Sequence, residues 1–556
     1  MNAQCKACGQ TFTIEPEDLK FYKDVSPRFG KTVCEIPPPT HCPLCRMQRR
    51  FVWRSELHLY KRKSDLTGKP ILSYFPQSAP CKVYTSDEWW SDAWSPFDSG
   101  RDFDFNRPFF EQFKELIAAT PVPALSVSSV ENCDYINCAS WMKNCYLIAG
   151  ANHDEDCYYG NFVNYSKDCA DCSFIDHCEL CYECVDCAGC YDLKFSDQCT
   201  NCSSSAFLFS CRGCKECFGS VNLMNKQYVF FNEQLSAQDY RARIAALSLN
   251  KRSSIRTIRQ KFDEHKLAFP HRAVIGEMND HVSGNCILRS KNTTACFDVS
   301  DLEDCKYCVW FHQSKNAMDC YSWGFPVEQA YECFEVGDRS YQVAFSATLY
   351  NCIRHFYCFG CRHSSDCFGC VSMKNAQYCI LNKQYSKEEY EELVPKIIEH
   401  MRQSGEYGEF FPMSVSPLAY NQTIAQDYYP LSEEQAIALG ARWNRELPQE
   451  TPPSSIDAPD DIHETPDTIC EQILRCETTG KPYKIIPQEL KFYKRLSLPL
   501  PGKSFMERHL ERLKRRNPRQ LWQRSCDSCQ KKIETSYAPE RVEKVFCEEC
   551  YLAVIS

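Results

Sequence analysis

Cysteines spaced twelve residues apart set the limits on what this chain can fold into. Cys133, Cys145, Cys157, Cys169 and Cys181 keep that step. So do Cys187, Cys199 and Cys211, then Cys178, Cys190, Cys202 and Cys214, and further on Cys296, Cys308 and Cys320. A short fixed step with little helical periodicity marks a stacked β architecture, in which each repeat packs on its neighbours. Asn and Asp precede the recurring position, as in Asn144-Cys145-Tyr146, Asp156-Cys157-Tyr158 and Asp168-Cys169-Ala170, and suit turns between short strands. Cysteine behaves as a small hydrophobe, fit for a narrow interior.

The block is also duplicated. Cys217-Phe218-Gly219-Ser220-Val221 returns as Cys367-Phe368-Gly369-Cys370-Val371, and Asn225, Gln227, Tyr228, Asn232, Gln234, Ser236 and Tyr240 recur as Asn375, Gln377, Tyr378, Asn382, Gln384, Ser386 and Tyr390. Ser386-Lys387-Glu388-Glu389 is a capping box that opens a helix through about His400. Ser236 opens the matching helix, and Phe262 falls on a second one. These helices would close the open ends of the stack. The expectation is a duplicated parallel β-solenoid, with one or two repeats per coil left open.

Forty cysteines in 556 residues also raise the question of compartment. Met1-Asn2-Ala3-Gln4-Cys5-Lys6-Ala7-Cys8 shows neither a basic start nor an apolar stretch, so no secretory signal is read. No run of about 18 apolar residues appears, so no membrane span is expected. A cytoplasmic, reducing setting follows, where paired cysteines point to metal before disulfides. The net charge of −9 offers no global basic field for nucleic acid.

The two ends carry metal-ligand spacing. Cys526-x2-Cys529 and Cys547-x2-Cys550 fit a zinc ribbon, two tight knuckles aiming four thiolates at one tetrahedral ion. Cys5-x2-Cys8 and Cys42-Pro43-Leu44-Cys45 repeat the arrangement across a longer insertion, with Cys34 and His41 near enough to replace a ligand. Two structural zinc ions are expected, and with four protein ligands neither leaves a catalytic position. The stretch from Ile485 to Lys494 matches that from Ile14 to Lys23 at seven of ten positions. Two further knuckle starts then align, Ser64-Asp65-Leu66-Thr67 and Cys476-Glu477-Thr478-Thr479. They read as ribbons that kept the hairpin and lost the metal, which leaves Cys81, Cys470 and Cys476 as packing residues.

Basic stretches lie beside these ribbons. One holds Arg46, Arg49, Arg50, Arg54, Lys61, Arg62 and Lys63 with Phe51, Trp53 and Tyr60. The other holds Lys503, Arg508, Arg512, Lys514, Arg515, Arg516, Arg519 and Arg524 with Trp522, and Ser504 starts its helix. Cations interleaved with aromatics suit phosphate contact and base stacking. The plainer account is a solvated face opposite an acidic linker, and ribbons also bind proteins. Arg46, Arg49, Arg50, Arg54, Arg508, Arg512, Arg515 and Arg516 are therefore the candidate contacts for nucleic acid or a protein complex.

No phosphate-binding loop, dinucleotide fingerprint, zinc-protease motif or nucleophile elbow is present. His153, His177, His312, His355 and His363 sit among cysteines of the repeat, where a turn histidine is the plainer account than a catalytic base. Cys178-x2-Cys181-x2-Cys184-x2-Cys187-x2-Cys190 looks like a metal tract. Its regularity favours a ladder of buried thiols, with added zinc, copper(I) or redox use as the alternatives.

Phe12 to Lys23, His41-Cys42-Pro43-Leu44-Cys45-Arg46, the Cys-Phe-Gly blocks, Phe410-Phe411-Pro412, Ser416-Pro417-Leu418-Ala419-Tyr420-Asn421 and Tyr537-Ala538-Pro539-Glu540-Arg541 together resemble a family of cysteine-rich zinc-ribbon proteins of small-genome bacteria. Some of its members carry a CoA-transferase (CaiB/BaiF-like) label, which no motif here supports. The resemblance covers nearly the whole chain and implies its domain order. The expected order is a ribbon with a basic helix (1–63), a degenerate ribbon and helix (64–125), solenoid repeats at 126–270 and 271–402, an aromatic and proline-rich connection (403–448) whose Ser432-Glu433-Glu434-Gln435 opens a short helix, an acidic linker (449–468), a degenerate ribbon with a basic helix (469–524), and a last ribbon (525–556). The expected role is a non-enzymatic zinc-binding scaffold or adaptor. A metal-handling or thiol-redox protein is the first alternative and an unrecognised enzyme the second.

Overall fold

The computed structural model describes residues 1–445 and 455–555. A parallel β-solenoid runs over residues 127–230 and again over 276–380. Coil sits on coil at the twelve-residue step. Asn161 pairs with Ser173 and Ser173 with Val185 in the first half, and Ile353 with Ser365 and Ser365 with Gln377 in the second. One coil thus holds one repeat. The backbone is satisfied up and down the stack: Tyr146 donates its N–H to the Cys157 carbonyl at 3.1 Å, and Leu147 to the Asp134 carbonyl at 3.0 Å.

Within a coil the unit is three residues. Asn132, Tyr135, Cys138, Trp141, Asn144 and Leu147 have left-handed backbones, φ 50° to 55°. From Ser129 to Asn232 this rhythm continues, and none of its left-handed residues is Val, Ile or Thr. Branching at Cβ would add a clash to a conformation that already costs a non-glycine residue roughly 1–2 kcal/mol. The residue after each left-handed one faces the bore, so four side chains fill each coil. Cys178, Cys181, Cys184 and Cys187 are four such neighbours, all buried. Their thiols lie against carbonyl oxygens of the same and the next coil, as Cys181 Sγ does at 3.5 Å from Glu179 O and 3.7 Å from Cys190 O. Inward serines are satisfied likewise. Ser196 Oγ donates to Lys194 O at 2.8 Å and accepts from Leu208 N at 2.9 Å. The thiol ladder is thus a core of small residues. Outside, Trp141, His153, Tyr165 and His177 stack face to face at 4.7, 4.7 and 4.8 Å, in an exposed aromatic column.

Ser236 caps helix Ala237–Ala245 and Phe262 is buried in helix Arg252–Lys266. Ser386 forms the capping box of helix Lys387–Gln403, and Ser432 that of helix Glu433–Ala438. The expected linker differs from what the structure shows. Residues 449–454 lie outside the described residues, but those that follow are docked: Arg252 donates to the Pro459 and Ala458 carbonyls at 2.9 and 3.0 Å, and Asp460 binds Ser253.

The ribbons pack crosswise. The N-terminal ribbon shares its core with the outside of the second solenoid half, where Phe21 and Tyr22 meet Tyr331 at 5.9 and 5.2 Å. The degenerate ribbon after Ile473 shares its core with the outside of the first half, where Phe492 and Tyr493 meet Tyr182 at 6.0 and 5.6 Å. The matching stretches Ile14–Lys23 and Ile485–Lys494 therefore make the same contact on opposite halves. Each buried ring of this kind contributes roughly 1.5–3 kcal/mol.

Candidate metal centres and their arginine clamps

Four ribbons share one local design. A hairpin holds the first knuckle: Asn2–Gln4 with Thr11–Thr13, Tyr60–Lys63 with Pro70–Ser73, Leu474–Arg475 with Pro482–Tyr483, and Trp522–Ser525 with Lys532–Thr535. In each, the fifth knuckle residue returns its N–H to the first residue's carbonyl at 2.9 Å: Gly9 to Cys5, Gly68 to Ser64, Gly480 to Cys476, Gln530 to Cys526. That closing residue has φ near 70° in the three glycines and 63° in Gln530, a left-handed turn that glycine takes freely.

The second knuckle starts a helix. Cys42 stands at the N-cap of helix Pro43–Phe51, and Cys547 just before helix Glu548–Ile555. At both ends the four sulfur atoms lie within 4.8 Å of one another: Cys5, Cys8, Cys42 and Cys45, and Cys526, Cys529, Cys547 and Cys550. Cys8 and Cys42 sulfurs are 3.8 Å apart, and those of Cys529 and Cys547 are 3.7 Å apart. A tetrahedral ion with metal–sulfur bonds of about 2.3 Å requires an edge of about 3.8 Å. Each four-cysteine group can therefore hold a metal ion. Backbone N–H groups of Cys529, Cys547 and Ser528 draw the Cys526 thiol down to about 6 against the opposing effect of burial, toward the thiolate that a metal needs. Cys34 and His41 join neither set. Cys34 is buried behind Tyr407, whose hydroxyl donates to its carbonyl at 2.7 Å, and His41 faces Glu409 at 3.3 Å.

The two remaining ribbons replace the metal with other chemistry. Thr85-x2-Glu88 occupies the place of the second knuckle beside Ser64-x2-Thr67. Glu88 accepts 2.5 Å hydrogen bonds from Ser64 Oγ and Thr67 Oγ1, and it completes a capping box with Thr85. Burial raises the Glu88 carboxyl, but these donors hold it below its usual range. Around Cys476, Ser504-x2-Glu507 has the same spacing, and Thr478 reaches Glu507 at 3.5 Å. The sequence expectation is of ribbons that kept the hairpin and lost the metal, and the two hairpins are present. Cysteine spacing does not reveal the partners of the first knuckle, which are Thr85 and Glu88, although their S/T-x-x-E capping box is a local sequence pattern.

The arginines are not a solvent-facing strip, and that expectation is corrected. Arg46, Arg49, Arg50 and Arg54 are buried against the second solenoid half. Arg46 meets Asp319 at 2.8 Å, Arg50 meets it at 3.1 Å, Arg49 meets Glu332 at 3.3 Å and Glu409 at 2.8 Å, and Arg54 meets Glu56 at 2.5 Å and Glu335 at 3.6 Å. Arg508, Arg512, Arg515 and Arg516 enter the first half. Arg512 meets Asp171 at 2.9 Å, Arg508 pairs with the same carboxylate, Arg515 meets Glu183 at 3.4 Å and pairs with Asp197, and Arg516 meets Asp186 at 2.9 Å. Arg516 also pairs with Asp298 and Arg519 meets it at 3.0 Å, so helix Phe505–Lys514 and the turn that follows it together touch both halves. Arg46 and Arg50, four residues apart on Asp319, return as Arg508 and Arg512, four residues apart on Asp171, and Tyr331-Glu332-Cys333 matches Tyr182-Glu183-Cys184. The clamp is duplicated along with the solenoid. Burial opposes the Arg508 charge, and Asp171 with the Tyr493 and Glu489 oxygens more than restores it.

No family model matches the chain, and no curated protein matches it. Among solved structures, a chain from Desulfovibrio desulfuricans G20 described as an acetyltransferase aligns over 42% of this chain and 65% of its own length. At 6% identity and a TM-score of 0.11 that likeness carries no argument.

Proposed function

We propose that the protein is a zinc-dependent, non-enzymatic scaffold. Its terminal zinc ions set the knuckles, the ribbons lock two solenoid halves into one body, and the outer faces, the aromatic column from Trp141 to His177 among them, serve a protein complex. One observation carries this reading. Cys42 caps, and Cys45 lies on, the same short helix as Arg46, Arg49 and Arg50, so two of the ion's four ligands and the arginines that grip the second half are one rigid piece. At the other end Tyr551, in the helix after Cys547, hydrogen-bonds Asn222 at 3.0 Å and Ser210 at 2.8 Å in the first half, while Arg272 meets Glu548 at 2.6 Å. Both metal sets thus stand at joints. Zinc suits four thiolates in a closed tetrahedron, and a reducing, cytoplasmic setting suits the free thiols. The resemblance to cysteine-rich zinc-ribbon proteins fits the same reading. The buried, carboxylate-bound arginines favour a protein partner over nucleic acid.

The test is chelation of the purified chain with metal content followed alongside limited proteolysis. Removal of the ribbon zinc should expose the segments at 1–63 and 525–555 to protease while the solenoid resists. A metal-free chain with an unchanged digestion pattern would sink the reading.

A further inference from the structure

We propose that the second solenoid half holds an internal metal site, in which His355, Cys358 and Cys361 bind a zinc-class cation. Among the described residues this is the one set of inward side chains whose ligand atoms all lie within 4.8 Å of one another; the other two such groups are the terminal ribbons. Elsewhere the thiol ladder does not converge in this way. Cys352, His355, Cys358 and Cys361 are the four inward residues of one coil, and each is 0% exposed.

The histidine is the second observation. Its Nδ1 lies 3.1 Å from the Ile353 carbonyl, so Nδ1–H donates and the lone pair falls on Nε2. Nε2 is fully buried and has no hydrogen-bond partner. An imidazole fixed by a backbone carbonyl through one nitrogen, with the other left free toward thiols, is the arrangement of a metal-ligating histidine. Without an ion, that nitrogen is an orphaned buried polar atom in a core of thiols.

The duplication supplies a control. The corresponding coil of the first half carries Cys202, Ser205, Leu208 and Cys211 at these places. There Ser205 Oγ donates to Ser203 O at 2.7 Å and accepts from Cys217 N at 3.0 Å, and nothing is left unpaired. The coil therefore folds without histidine, and folding alone does not call for His355. Two thiols and one imidazole are a borderline-soft donor set that favours zinc over calcium or magnesium. With all three residues sealed from solvent, the ion enters while the coils close, and chelators should remove it more slowly than the ribbon ions.

The experiment compares metal per folded chain in the full-length protein and in a variant with His355→Ser and Cys358→Leu, the residues of the first half. Expected is one ion fewer in the variant, with unchanged circular dichroism. X-ray absorption at the zinc edge should show an imidazole nitrogen in the wild type alone. Equal metal content in the two folded proteins would overturn the site. If the double variant does not fold, His355→Gln takes its place, and a metal content there equal to that of the wild type would overturn it equally. The difference of one ion stands whether or not the ribbons are loaded, so failure of the ribbon reading and failure of this one separate.

Discussion

Replacing Asp171 by Asn should release the C-terminal clamp from the first solenoid half. The Asp171 side chain is 0% exposed and serves two guanidiniums, that of Arg512 at 2.9 Å and that of Arg508. After the change Arg512 keeps only Ser173 Oγ and Tyr159 O, each 3.1 Å away, while Arg508 keeps Tyr493 OH at 3.2 Å and the more distant Glu489 carboxylate at 3.8 Å. Removing one partner of a buried pair costs about 3–5 kcal/mol. At 1.4 kcal/mol per decade, the opened fraction rises by roughly two to three and a half decades. Limited proteolysis reads that fraction when opening is fast relative to cleavage. Asp168→Asn is the matched control. Asp168 meets Arg495 at 2.8 Å, but the two side chains are 21% and 48% exposed, a surface pair worth at most about 1 kcal/mol. Cleavage after the Lys503–Arg524 region should therefore accelerate at least a hundredfold in the first variant and about fivefold or less in the second. If both variants were cut at similar rates, the idea of an internal ionic clamp would be wrong.

Asp319→Asn, which strips Arg46 and Arg50 of their shared carboxylate, should free the N-terminal ribbon to a similar degree, read by protease sensitivity at 1–63. Replacing Ser64, Thr67, Thr85 and Glu88 together by Cys should install a third four-thiolate zinc site on the preserved hairpin, seen as one added zinc per chain; no added zinc would contradict the equivalence of the four ribbons. His509 is buried, and burial followed by Arg512 pushes its pKa down to about 3. Below pH 6.5 the unfolded chain takes up a proton that the folded one refuses, so stability present at neutral pH is lost as pH falls from 6.5 toward 3. At pH 5 the loss is about 2 kcal/mol, and His509→Phe should shed that much less between pH 7 and pH 5 in denaturant titrations.

The step of twelve showed the coil, and the return of Cys217–Val221 as Cys367–Val371 showed the duplication, because both are one-dimensional patterns. The two terminal cysteine sets were legible for the same reason, since ligands in C-x2-C pairs are fixed by local spacing. The arginines were not. A basic run looks alike whether it faces water or a carboxylate, and the partners of Arg46 and Arg512 lie on distant coils that no local pattern joins to them. The triplet rhythm was hidden too, because glycine, the usual sign of a left-handed backbone, fills few of those positions, while Asn, Asp and aromatic residues fill most. Only the avoidance of Val, Ile and Thr at every third place of the first half could have revealed it. His355 read as a turn residue for want of that rhythm, which places it in the bore.

The crossed packing of the ends has a consequence for how the chain is made. Arg46 is 273 residues from Asp319, and Asp171 is 341 residues from Arg512. At roughly 5–20 residues per second, the first ribbon leaves the ribosome some 14–55 seconds before its anchor exists. Throughout that interval its cations and the rings of Phe51 and Trp53 stand in water, seeking any apolar or acidic neighbour. The nascent protein therefore spends most of its synthesis half-assembled, and the last turn of translation is the one that shuts it.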